Sequence, residues 1–220
     1  GNDNVLKEYL AYKFYELISP YHFRTRLANL ELTEPRGNKQ KVHNVKAFLI
    51  EDDKKIAKKF DGKVVERSIH PLAQDQINSI RCEFFQFMIG NTDWSVYSVH
   101  NLRQIYSPDS NFPIPVPYDF DNSGFVNAPY AAPHESVPIE NVRQRCFMGN
   151  CRETEKYEQV FQLFRDKEKM ILEYLENETL LSDSSKKLAI RYVNEFYEIL
   201  NNPKKTKKMI LDHCDKFMLK

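Results

Sequence analysis

The sequence predicts an α+β fold: one helix packed with a small antiparallel sheet, then a larger helical body, with an irregular polar segment at their junction. Three observations predict it. Apolar residues recur at helical spacing at the start and end of the chain, two alternating runs follow the first helix, and Gly, Pro, Asn and Asp dominate residues 90–130 between periodic stretches. With 220 residues, 41% of them hydrophobic, the chain can bury a substantial core.

From Val5 to Ser19, Leu6, Leu10, Phe14 and Leu17 mark a helix that Pro20 ends. Residues 23–33 alternate as a strand, Glu34-Pro35-Arg36-Gly37-Asn38 is turn-like, and Val42 to Ile50 forms the second arm of a hairpin. Glu51-Asp52-Asp53 leads into a short polar helix, and residues 60–71 show no clear period. Gln74 to Met88 carries Ile77, Ile80, Phe84, Phe85 and Met88 on one face, a long buried helix that stops at Gly90. Short extended pieces follow at residues 102–106 and 114–118. Beyond Pro138 the pattern predicts helices over 140–146, 153–175, 182–200 and 204–217, with Ser182 as a cap and Pro203 at a first helical position.

The bulk composition excludes several function classes. Lysine and arginine number 32 against 31 acidic residues, so nothing in the overall charge calls for nucleic acid. The Lys204-Lys205-Thr206-Lys207-Lys208 run has no interleaved aromatics and reads as a solvated helix start. No stretch approaches the roughly 18 apolar residues of a membrane span, and the polar opening is unlike a signal peptide. The expectation is a soluble chain, cytoplasmic unless an upstream signal exports it. The four cysteines form no CxxC motif, so zinc is not expected; Cys146 and Cys151 are near enough in sequence to meet, but buried free thiols are the expectation.

The irregular segment carries the chemistry. Asp93 follows Gly90-Asn91-Thr92, Asn101 lies beyond it, and Asp119 opens Asp119-Phe120-Asp121-Asn122-Ser123-Gly124 after a proline-punctuated strand. A carboxylate to orient a hydroxyl, then an Asn and an Asp to hold magnesium on a nucleotide, is the order phosphoryl transfer needs. Asp119-x-Asp121-x-Ser123-Gly124 also begins like a calcium loop, but its twelfth position is Tyr130 rather than a bidentate Glu. A metal-dependent hydrolase using His100 with Asp119 and Asp121 lacks a recognised His-x-His or HExxH element.

This layout and these motifs resemble the atypical protein-kinase-like superfamily, of the kind found in bacterial HipA-type and spore-coat CotH-type kinases. The resemblance implies a kinase-like fold with a partial small lobe over residues 1–52 and a helical lobe over 53–220 that holds the catalytic and metal loop at 90–131. It implies ATP and magnesium as cofactors, and a protein or small molecule as acceptor. By the same resemblance, Glu8 would pair with a phosphate-binding lysine, although alone it is an ordinary helix carboxylate. Backbone groups at Ile50 and Glu51 would form the adenine hinge, Asp93 would be the catalytic carboxylate, and Asn101 and Asp119 would hold the metal. Asp121 is either a second metal contact or a turn residue.

Two features depart from the pattern. The step from Asp93 to Asn101 is longer than in such kinases, and the six glycines form no phosphate-covering loop, nor is there a lysine-bearing strand before Glu8. The expectation is therefore a fragment, with Gly1 a protease scar and further strands upstream, weak or inactive alone. The alternative is a non-catalytic pseudokinase that serves as an interaction module. Trp94 is expected to pack its loop onto the helical body, and Arg143 and Arg145 to be structural rather than phosphate-binding.

Overall fold

A computed structural model describes residues 2–37 and 39–217. It contains α1 (Asn2–Ile18), β1 (Thr25–Arg36), β2 (Lys39–Ile50), α2 (Asp53–Lys59), β3 (Lys63–Val65), α3 (Gln76–Ile89), β4 (Leu102–Tyr106), β5 (Ile114–Pro117), α4 (Thr154–Glu176), α5 (Asp183–Leu200) and α6 (Pro203–Thr206). The mixture of helices and small antiparallel sheets is the α+β class. Among the described residues no helix is long and apolar enough to cross a membrane.

The strands form two separate antiparallel sheets. β1 and β2 pair from Thr25↔Ile50 to Arg36↔Lys39, while β3, β4 and β5 make a three-stranded sheet in that order. The hairpin runs further than its sequence suggests. Residues 34–36, expected as turn, extend β1, and the reversal compresses to Gly37, in the left-handed region at φ 60°, and residue 38, which lies outside the described residues. A two-residue loop suits the twist of paired strands and needs a residue tolerant of positive φ. β3, where no period was visible, is too short to show one; its pairing with β4 fixes it.

One face of the hairpin lies on α1, where Phe48 packs at 6.0 Å from the Tyr9 ring centroid and 5.4 Å from that of Tyr12. The opposite face carries the exposed Leu30, Leu32 and Leu49. The main core joins Leu10 and Phe14 of α1 to Phe84 and Phe85 of α3, Phe161 and Phe164 of α4, and Phe196 of α5, so it is continuous across position 52. Phe84 is its centre, with Phe161, Phe164 and Phe196 rings 4.8, 4.8 and 5.2 Å away. Aromatic pairs at such distances add to burial.

Capping sets the helix ends. Asp52, Asp75 and Ser182 accept from Lys54, Asn78 and Ser185 backbone N–H groups at the starts of α2, α3 and α5. Gly90 ends α3 in the left-handed conformation at φ 64°, and a Cβ there would lie 2.0 Å from the Tyr192 hydroxyl, so both backbone and packing require glycine.

Three expectations are corrected. Residues 140–146 form turns instead of a helix, because side chains capture the backbone donors: Gln144 Oε1 accepts from Glu140 N–H and Asn141 Oδ1 from Arg143 N–H. The last helix is α6 followed by a π turn over Lys207–Leu211, not one helix to 217. Cys151 pairs with Cys214 in a disulfide, and only Cys82 and Cys146 are buried thiols. Asp215 makes that pairing possible: its N–H donates to Gly149 C=O and its carboxylate accepts from Cys151 N–H and Asn150 Nδ2, laying the tail against the start of the α4 segment.

A buried ion pair locks this region to α3. Arg152 donates to Glu83 at 2.9 Å and to Ser79 Oγ at 2.9 Å, with both charged side chains almost fully buried. Burial pushes the Glu83 carboxyl up and Arg152 holds it back, leaving it at about 7.

Candidate functional site

Asp93 sits in a loop held by its own neighbours. Its N–H donates to Asn91 Oδ1 at 3.0 Å, and its side chain is 30% exposed. The chain then turns back through a bridge between Ser95 and His100, which exchange backbone hydrogen bonds of 3.0 and 2.9 Å. That reversal absorbs the long step in the sequence and returns Asn101 to Asp93. Asn101 Nδ2 donates to the Asp93 carbonyl at 2.8 Å and to Asp93 Oδ2 at 3.3 Å. The cost is local strain, since Val99 and Asn101 adopt φ 55° and 52°, and a β-branched residue there is a genuine outlier.

His100 Nε2 lies 3.0 Å from Asp93 Oδ1, and Asn122 Nδ2 donates to Oδ2 at 3.1 Å. Asp93 thus has neighbours on both oxygens, and Asn122 ties it to the segment that follows Asp119.

Asp119 stands at the end of β5 in a left-handed turn, φ 60°. Its N–H donates to the Tyr12 hydroxyl at 2.8 Å, which fixes the turn against α1. One helical turn before Tyr12 and on the same face, Glu8 lies in the field of the Asp119 turn. Burial, then the Asp119 and Asp121 charges, push the Glu8 carboxyl up to about 7. Asp119 is raised as well, by burial first, then by the charge of Asp121 and a hydrogen bond with it, then by Asp93. Carboxylates this close resist ionising together.

The fold therefore brings together Glu8, Asp93, Asn101, Asp119 and Asp121, from α1, the 91–101 loop and the turn after β5. Ile50 and Glu51 lie at the end of β2. Ile50 ends β2 with its side chain exposed, and Glu51 turns to Arg24: its N–H donates to the Arg24 carbonyl at 2.9 Å and its carboxylate accepts from Arg24 Nε at 2.9 Å. Among the described residues no three His, Cys, Asp or Glu side chains are spaced to hold a metal by themselves.

Other singled-out residues are structural. Trp94 is buried in a second cluster with Cys82, Val96, Leu102 and Met148. Arg143 and Arg145 stack on the Tyr192 ring, 4.2 and 3.7 Å from its centroid, and donate to the Gly124 and Met88 carbonyls respectively. His100, the third member of the alternative metal set, pairs with Asp93.

Sequence reasoning missed Asn122, Tyr12 and Tyr130. Tyr12 had a signal, because it lies one turn from Glu8 on the same helix face. Asn122 looked like any turn residue, and nothing in the sequence around Tyr130 marks a bond to Asp121. Tyr130 donates to Asp121 Oδ2 at 2.8 Å.

Compared with models of protein families, with curated proteins and with solved structures, the chain matches none of them.

Proposed function

We propose that this protein is a magnesium- and ATP-dependent phosphotransferase of kinase-like type, acting on a hydroxyl of a protein or small molecule. The observation that carries this reading is the joining of two acidic segments in one place: Asn122, three residues beyond Asp119, bonds to Asp93. A phosphoryl acceptor needs an orienting carboxylate beside the group that holds the nucleotide's metal.

Asp93 is the orienting carboxylate. With Asn101 and Asn122 donating to Oδ2, the second oxygen meets His100, a pairing that an incoming hydroxyl would have to share or replace. Asn101 acts first as a positioning residue for Asp93, with magnesium contact a further role of its side-chain oxygen. Asp119, with Asp121, would hold the metal, whose chemistry is to neutralise charge on the transferring phosphate. Magnesium is commonly held by one or two carboxylates together with substrate phosphates and water. The raised carboxyls of Glu8 and Asp119 fit the same role, since a buried acidic group of this kind is relieved when a cation joins it.

Equilibrium dialysis of ATP with and without magnesium tests the metal role. Binding should require magnesium and fall at least about tenfold in Asp119→Ala. Asp93→Asn should keep that binding and lose transfer to any hydroxyl acceptor. Equal ATP binding by the native protein and Asp119→Ala would end the proposal.

A further inference from the structure

The hairpin of β1 and β2 is an arm held at one end. Leu27 and Phe48 pack its inner half against the main core, whereas from Glu31 to Val42 every described residue is exposed, so both faces of the outer half stand in solvent. Among the described residues no third strand joins this sheet. A lone two-stranded hairpin is marginal in water, yet this one leaves Leu30, Leu32 and Leu49 in the open on the face away from α1.

The backbone shows which groups of β1 are free. Glu51 N–H donates to the Arg24 carbonyl at 2.9 Å, one step beyond the Thr25↔Ile50 pair. Antiparallel pairs alternate between bonded and unbonded, so the even-numbered residues of β1 turn their backbone groups to β2 and the odd-numbered ones, from Thr25 to Pro35, turn theirs outward. Proline has no N–H to offer, and its place in the outward set is that of a residue on a sheet edge.

We propose that this edge of β1 pairs antiparallel with the β1 edge of a second copy of the chain, with Leu30 on the two-fold axis. An isologous contact must complement itself, and β1 does so in this register. Arg26 lies opposite Glu34 of the second copy, Ala28 opposite its Leu32 and Leu30 opposite its Leu30, all on the face away from α1. Arg26 is exposed and has no ion pair among the described residues. Glu34 accepts from Arg36 at 3.0 Å and lies 3.1 Å from His43 on its own arm, which holds its carboxylate on that face.

Charge and backbone disfavour the neighbouring registers. Sliding by two residues one way sets Glu31 against Glu31 and Arg26 against Arg36, and sliding the other way leaves Arg26 against Leu32. A slide of one residue sets outward-turned backbone groups against inward-turned ones. On the α1 side, Thr33 of the second copy comes beside Leu27, which lines a groove with Tyr9, Tyr174 and the exposed Met170 and Leu180. The partner's arm thus roofs this groove, and the two hairpins join as one four-stranded sheet.

Sedimentation velocity should show a dimer that forms as concentration rises. Unbonded antiparallel partners have Cα atoms about 4.5 Å apart, within the reach of a disulfide. Under mild oxidation Leu30→Cys should therefore cross-link into a dimer on a non-reducing gel. Leu32→Cys should not, because its counterpart lies four residues along, roughly 13 Å away. Arg26→Glu should weaken the dimer about tenfold, since two opposite-charge pairs become two like-charge pairs. All three positions are exposed, so the variants keep the fold.

A chain that stays monomeric at every concentration overturns the pairing and leaves the edge to a strand of a different protein. Cross-linking of Leu32→Cys as complete as that of Leu30→Cys overturns it, and so does an Arg26→Glu variant that associates like the native protein.

Discussion

Asn122 donates to the Asp93 carboxylate at 3.1 Å and accepts from Ala132 N–H at 3.0 Å, so a single side chain joins the Asp93 loop, the turn after Asp119 and the Tyr130 loop. Its two bonds use both ends of the amide, which no smaller side chain can imitate.

Asn122→Ala should lose about 1–2 kcal/mol of stability, since it deletes one bond to a charged acceptor and leaves Ala132 N–H to water. Asn122→Asp should cost more than the alanine variant at neutral pH, because it sets a carboxylate against Asp93. Urea unfolding of the two variants at pH 7 checks the order; an aspartate variant as stable as the native protein would show that Asn122 does not bond Asp93.

The carboxyl of Glu8 is raised from its ordinary 4.5 to about 7 in the folded chain. A group raised by folding adds stability that is fully present below its unfolded pKa, and that stability drains as pH rises through the folded value. Between about pH 4.5 and 7, Glu8 should therefore make stability fall by about 1.4 kcal/mol per pH unit. Unfolding of Glu8→Gln measured across this range should show a shallower decline, with the difference closing below pH 4.5. Parallel curves for the two proteins would mean that Glu8 is ionised throughout.

Linking Cys151 to Cys214 closes a long loop, and its removal should cost about 2–4 kcal/mol. Cys214→Ser should lower the thermal midpoint, and a reducing agent should lower that of the native protein but leave the variant unchanged. Because Cys82 and Cys146 are buried thiols, peptide mapping under non-reducing conditions should recover only the 151–214 pair. A reductant that shifts both proteins alike would contradict the assignment.

Much of the fold was legible because it depends on local physics. The periodicities of α1, α3, α4 and α5, the Ser182 cap, Pro203 at a helix start and the stop at Gly90 follow from side-chain spacing and backbone preference, which neighbours in sequence suffice to set. The failures also have local causes that compete with periodicity. Residues 140–146 have helical spacing, but Asn141 and Gln144 take the backbone donors, and Arg143 and Arg145 are drawn across the Tyr192 ring.

The site divides the same way. The sequence by itself determined that the candidate residues Asp93, Asn101, Asp119 and Asp121 lie in one irregular polar segment. Only the tertiary structure decided what they touch. The Ser95 and His100 bridge returns Asn101 to Asp93, α1 delivers Glu8 and Tyr12 to the Asp119 turn from far along the chain, Glu51 goes to Arg24, and Cys151 meets Cys214 rather than Cys146. Contacts of that kind depend on how packed elements lie against one another, and core packing sets that arrangement only after the local pieces have formed.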